Sequence, residues 1–186
     1  EAYLQKNPPV HILVNNTGGP PAGPALAAKP EEFLTAFSNH LVCNHLLMQA
    51  LVPGMKTTGY GRIINIISTS VKQPIPGLGV SNTIRAAVGN WSKTLAMELA
   101  PFGITVNNVL PGAANTVRLQ AILENKAQKT GKTIAEIKQE MISEIPAARI
   151  AEPNEVANAV AFLASPAASY INGINVPVDG GRTLCL

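Results

Sequence analysis

Four short, mostly apolar runs decide what this chain can fold into. They lie at residues 10–16 (VHILVNN), 62–67 (RIINII), 104–110 (ITVNNVL) and 174–178. Their apolar residues fall at neighbouring positions rather than at every second one, the pattern of a strand buried on both faces. Turn residues stop each run: Thr17-Gly18-Gly19, Ser68, Pro111-Gly112 and Asp179-Gly180-Gly181. The connections between them are far too long for hairpins and carry helical periodicity. That alternation predicts an α/β fold with a parallel sheet covered on both faces.

The helices follow from the gaps. Pro30-Glu31-Glu32 opens one, since proline suits the first turn and acidic side chains suit the positive helix N-terminus. Apolar residues at 33, 34, 37, 41, 42 and 46–48 carry its period to about Leu51, and Gly54 and Gly59 punctuate its end. A second helix is predicted over 82–100, with Ala86, Ala87, Trp91, Leu95, Ala96 and Leu99 on its apolar side. Residues 116–144 alternate apolar and charged positions and predict one or two helices of a lid spanning about 113–146. A last helix covers 152–164, with Val156, Val160 and Leu163 inside. No internal repeat is visible, and 1–186 reads as a single domain.

Composition narrows the function classes. The chain has 186 residues, 46% hydrophobic and 13% charged, with a net charge of +3. Such a balance supports a packed core and argues against disorder. Its Lys and Arg residues are scattered, and no basic stripe with interleaved aromatics suggests a nucleic-acid face. No apolar run approaches the roughly 20 residues that span a bilayer, and the first residues carry no signal-peptide pattern. Cys43 and Cys185 lie far apart with no metal-ligand spacing. They read as a core thiol and a tail thiol in a reducing cytoplasm.

Four blocks in order resemble the short-chain dehydrogenase/reductase family. They are His11-Ile12-Leu13-Val14-Asn15-Asn16-Thr17-Gly18, Gly61-Arg62-Ile63-Ile64-Asn65-Ile66-Ile67-Ser68, Ile104-Thr105-Val106-Asn107-Asn108-Val109-Leu110-Pro111-Gly112, and Asn172-Gly173-Ile174 with Val178-Asp179-Gly180-Gly181. The resemblance implies a Rossmann-like, doubly wound parallel sheet. Family members begin with strand, turn and helix around a Gly-x-x-x-Gly-x-Gly loop that holds the cofactor pyrophosphate. No such loop occurs here. The chain therefore reads as the C-terminal portion of a longer protein, lacking the first βαβαβ half. Strand 10–16 is then expected at an exposed apolar edge.

The resemblance also implies a site, position by position. The family uses Asn, Ser, Tyr and Lys. Counting back from Pro53-Gly54-Met55 puts the Asn position at His40, with Asn39 as the neighbouring alternative. An unperturbed imidazole titrates near neutrality and suits proton relay, although a packing histidine fits equally. Ser68 holds the serine position, with Thr69 and Ser70 as rivals, and is expected either to bond a substrate carbonyl or to cap the strand-end loop. Ser81 stands where the family has tyrosine. Its alkyl hydroxyl has no route to ionisation at neutral pH, so it reads as a hydrogen-bonding group or a helix N-cap. Arg85 stands where the family has lysine, one turn on along the same face, and can fork to ribose hydroxyls. Asn15 and Asn16 are expected to bond backbone of neighbouring strands beside the nucleotide. Gly18, Pro111 and Gly112 are expected to offer backbone to the cofactor. Thr116 would bond the cofactor or cap a helix. None of Tyr3, Tyr60 and Tyr170 is expected near the cleft, and Asp179 is expected to order a turn.

The expected activity is nicotinamide-dependent oxidation or reduction of a small carbonyl or alcohol, with NAD or NADP as cofactor and with binding that depends on the absent half. The cofactor supplies the hydride, and the protein binds and orients. The alternative is a catalytically weak nucleotide-binding or oligomerisation protein of the same fold. The Ala/Leu-rich helices at 30–52 and 82–100 resemble the family's dimer-forming pair and imply a homodimer or homotetramer. No nucleic-acid or membrane partner and no metal is expected. Lys126, Lys129, Lys132 and Lys138 offer basic neighbours to a carrier-linked acyl chain, or simply a solvated helix face.

Overall fold

The structure, a computed structural model, describes residues 6–185. Four parallel strands form one sheet in the order β1 (Ile12–Asn15), β2 (Gly61–Ile66), β3 (Ile104–Pro111) and β4 (Asn175–Val178). The helices are α1 (Pro30–Phe37), α2 (Cys43–Thr58), α3 (Gly79–Leu99), α4 (Val117–Thr130), α5 (Ile134–Ser143) and α6 (Pro153–Ala164).

Successive strand residues feed opposite faces of the sheet. Ile63 and Val106 pack under α2 and α3, against Met48, Val52, Met55, Leu95 and Leu99. Ile64 and Val109 pack on the other side, against Leu163 of α6. Both faces are thus covered, which is why β2 and β3 need near-continuous apolar sequence. β1 is an edge, and Ile12 and Val14 are each 45% exposed.

Several boundaries differ from the sequence reading. The first predicted helix does not end near Leu51. It runs on through Pro53 to Thr58, where Gly59 takes a left-handed φ of 64° and closes it. A π-helical turn, Ser38–Val42, joins α1 to α2. The helix predicted from Asn82 begins at Gly79. A side chain at Gly79 would sit 2.3 Å from the Ala25 nitrogen, so only glycine lets the two loops touch. Hydrogen bonds from Gly23 N–H to the Gly77 carbonyl and from Gly79 N–H to the Gly23 carbonyl seal that contact. Cys43 is exposed, on α2, and is not a core thiol.

Residues 113–146 hold two helices, α4 and α5, packed through Leu119, Leu123 and Ile137. Both are capped as their sequence dictates. Thr116 Oγ accepts from Leu119 N–H, and Thr133 forms a reciprocal box with Glu136. Lys126 and Lys132 both pair with Glu140, so these two lysines already have an anionic partner.

Candidate functional site

The predicted site residues gather beyond the C-terminal ends of the parallel strands, where an open α/β sheet places its ligand crevice. A line of asparagines ties the four strands together across the sheet. Asn15, Asn65, Asn108 and Asn175 occupy matched register positions on the four strands. Asn15 Nδ2 donates to Asn65 Oδ1 (2.8 Å), Asn65 Nδ2 to Asn108 Oδ1 (3.0 Å) and Asn108 Nδ2 to Asn175 Oδ1 (2.7 Å). Asn65 also donates to Ser92 Oγ of α3 (3.2 Å). Sequence reasoning expected Asn15 and Asn16 to bond neighbouring backbone. Asn15 bonds a side chain instead, and Asn16 is exposed. The ladder members on the other strands went unread, although an asparagine on every strand, buried among isoleucines and valines, was the signal.

His40 is buried at the π-turn, and Asn39 beside it is exposed. The turn's extra residue settles which of the two faces inward. His40 Nδ1 and Thr17 Oγ1 share a hydrogen bond of 2.6 Å. Desolvation, helped by the nearby Arg85 charge and opposed by the Gly18 backbone, lowers the imidazole pKa to about 4. The ring is therefore neutral at physiological pH. The expectation of a near-neutral proton relay rested on an unperturbed value, and burial removes it.

Arg85 is only 9% exposed. Its Nη1 donates to the Ile66 carbonyl at the end of β2 (3.1 Å), and its buried Nε has no partner. Burial and then the Arg118 charge lower its pKa to about 10, which leaves it cationic. Ser81, one turn earlier, sits inside the first turn of α3 and not at its N-cap, which is Leu78. Asn82 instead orders the preceding loop, exchanging hydrogen bonds with the Ile75 backbone. Ser68 caps the short turn that follows β2 by accepting from Ser70 N–H (3.1 Å), with its side chain half-buried.

Pro111 ends β3, and Gly112 N–H bonds the Val178 carbonyl (3.0 Å). A Cβ at Gly112 would meet Asp179 at 2.7 Å, so glycine is required for the two chain ends to lie together. Asp179 orders its own turn by accepting from Gly181 and Thr183 N–H groups. Tyr60 precedes β2, at the opposite end from Ser68, and bonds the Ala164 carbonyl, while Tyr170 is fully exposed. Tyr3 lies outside the described residues.

One neighbour of the site was missed. Arg118, in the first turn of α4, donates to the Pro20 carbonyl (3.0 Å). A Cβ built at Gly19 would stand 3.2 Å from Arg118 Nη2 and 3.5 Å from Arg85 Nη2. The two guanidinium groups, from separate helices, thus converge on one glycine. A cation in the first turn of a helix runs against the helix dipole, and that was the readable signal.

Strand order and parallel pairing define a Rossmann-like α/β protein. The family described as enoyl-(acyl carrier protein) reductase matches residues 1–183. The chain belongs to that family, within the short-chain dehydrogenase/reductases. It is 34% identical to 4-formylbenzenesulfonate dehydrogenase of Comamonas testosteroni over 94% of this chain and 68% of that protein. It is 36% identical to the 3-oxoacyl-[acyl-carrier-protein] reductase FabG of Vibrio cholerae over 92% of this chain and 66% of that protein. The solved structure of YwfH, an NADPH-dependent reductase involved in bacilysin biosynthesis, superposes with a TM-score of 0.90 at 31% identity, over 96% of this chain and 68% of that one. The chain spans about two thirds of the length of the curated relatives it matches. Solved relatives hold NADPH or NADP, so nicotinamide cofactors belong to the family. Among the described residues, no helix is long and apolar enough to cross a membrane.

Proposed function

We propose that the protein, in its full-length form, is a cytoplasmic NAD(P)-dependent oxidoreductase that interconverts a small carbonyl compound and its alcohol, without a tyrosine acid. The observation that carries this reading is Arg85, a buried cation at the strand ends with no ion-pair partner among the described residues. A ribose hydroxyl is an acceptor that fits such a donor.

The residues suit a nicotinamide cofactor. Arg85 would hold its ribose, the backbone of Asn16, Gly18, Pro111 and Gly112 would border its ring, and Thr116 would anchor the lid helix beside it. The bound cofactor supplies the hydride. Ser68 Oγ accepts from Ser70 N–H and keeps its own O–H free to donate to the substrate carbonyl. The fixed charge of Arg85 favours negative charge developing on that oxygen. Ser81 stands at the position of the family's Tyr, and Arg85 at that of its Lys. An alkyl hydroxyl does not ionise near neutrality, and neutral His40 carries no spare proton. Water is then the proton source, with Ser81 orienting it.

The test is turnover of NADH and NADPH by the full-length protein on a carbonyl panel. Slow but measurable reduction is expected, and Ser68→Ala should lower kcat. Ser81→Tyr and Arg85→Lys together should raise the rate by about 10²–10⁴-fold, the usual worth of a general acid. A second reading, a catalytically weak nucleotide-binding or oligomerisation protein, draws on the bare apolar residues of α1 and α2, with Leu34 69% and Leu46 59% exposed. It predicts cofactor binding or dimerisation with no turnover and no effect of Ser68→Ala.

A further inference from the structure

Arg85 and Arg118 approach one point above Gly19. Each rests one nitrogen on a backbone carbonyl, Ile66 for Arg85 and Pro20 for Arg118. Neither takes part in any ion pair among the described residues, whose acidic partners are Glu140, Glu144 and Glu155. Arg85 keeps a buried, unpartnered Nε. Two like charges held together without an anion repel each other, and burial of one of them raises the cost. A forked guanidinium pair matches the planar geometry of a carboxylate or a phosphate. Glycine at position 19 lets both guanidinium groups lie close to the backbone there, because a side chain would crowd Arg118. Arg118 also sits in the first turn of α4, at the positive end of the helix dipole, where a cation is disfavoured.

We propose that the cleft binds an oxyanion between Arg85 and Arg118, and that the substrate is a carbonyl compound carrying a carboxylate beside the reacting carbon. Arg118 is then the specificity residue, and it brings the lid helix α4 down onto the substrate. This inference rests on the oxidoreductase reading for the reaction but not for the binding. The other source of an oxyanion in this cleft is a phosphate of the cofactor.

The experiment is calorimetric titration of the full-length protein with 2-oxobutyrate, its methyl ester, inorganic phosphate and NADPH, for wild type, Arg118→Gln and Arg118→Lys. Turnover of the acid and the ester is measured alongside. Arg118 is exposed and bonds only a loop carbonyl, so both variants should fold, and circular dichroism checks this. The acid should bind wild type about 10- to 100-fold tighter than the ester, and Arg118→Gln should abolish that difference while Arg118→Lys keeps part of it. Equal binding of acid and ester by wild type overturns the proposal. A loss in Arg118→Gln confined to NADPH and phosphate gives the anion to the cofactor and overturns the substrate assignment. Equal turnover of acid and ester defeats the carboxylate site but upholds the oxidoreductase. Selective acid binding with no turnover upholds the site and defeats the oxidoreductase.

Discussion

Burial changes what His40 can do. Its pKa falls from the ordinary 6.5 to about 4 in the fold, so the unfolded chain takes up the proton more readily. Its contribution to stability is complete above pH 6.5 and is lost as pH falls from there toward 4. Thermal unfolding followed by circular dichroism should show Tm dropping across that window, and His40→Asn should flatten the drop. Asn65 is the residue on which the sheet's polar ladder hinges, since it bonds Asn15, Asn108 and Ser92 at once. Asn65→Ala leaves buried groups on all three without a partner. Urea unfolding should report a loss of about 2–4 kcal/mol. At this scale the sequence was informative about identity and poor about environment. Spacing named Ser68, Ser81 and Arg85 as candidates. The partners of Asn15, the neutral state of His40 and the approach of Arg118 depend on residues tens of positions away.

Among the elements, strands and helices were legible because their apolar periods differ, and the Thr116 cap, one of its two readings, is a local feature. Their exact limits were not. The π-turn at Ser38–Val42 leaves no mark in composition, yet it decides that His40 and not Asn39 turns inward. The early start of α3 comes from a tertiary contact between Gly79 and the loop at Ala25. Gly79→Ala should push those loops apart, lower Tm by several degrees and raise KM more than it lowers kcat, because the loop at Gly18-Gly19 is carried on the same contact. An unchanged KM would separate that loop from the cleft.

For the whole molecule, the parallel α/β class followed from four apolar runs joined by long connections, and the family match agrees with it. Surface exposure was less readable. Leu34, Leu46 and Leu47 of α1 and α2 and Met97 of α3 lie bare on helices that the sequence reading paired with dimer formation. Sedimentation of the full-length protein should show a dimer or tetramer, and Leu46→Lys should shift it toward monomer. An unshifted monomer in both would remove self-association from the account.

The claim on which the rest depends is that Arg85 marks a nicotinamide site. The direct measurement is calorimetric titration of NADH and NADPH into the full-length protein and its Arg85→Gln variant. Binding of one cofactor by wild type, weakened at least about tenfold in the variant, is the predicted result. Cofactor affinity that Arg85→Gln leaves unchanged, or no binding to either protein, would contradict it.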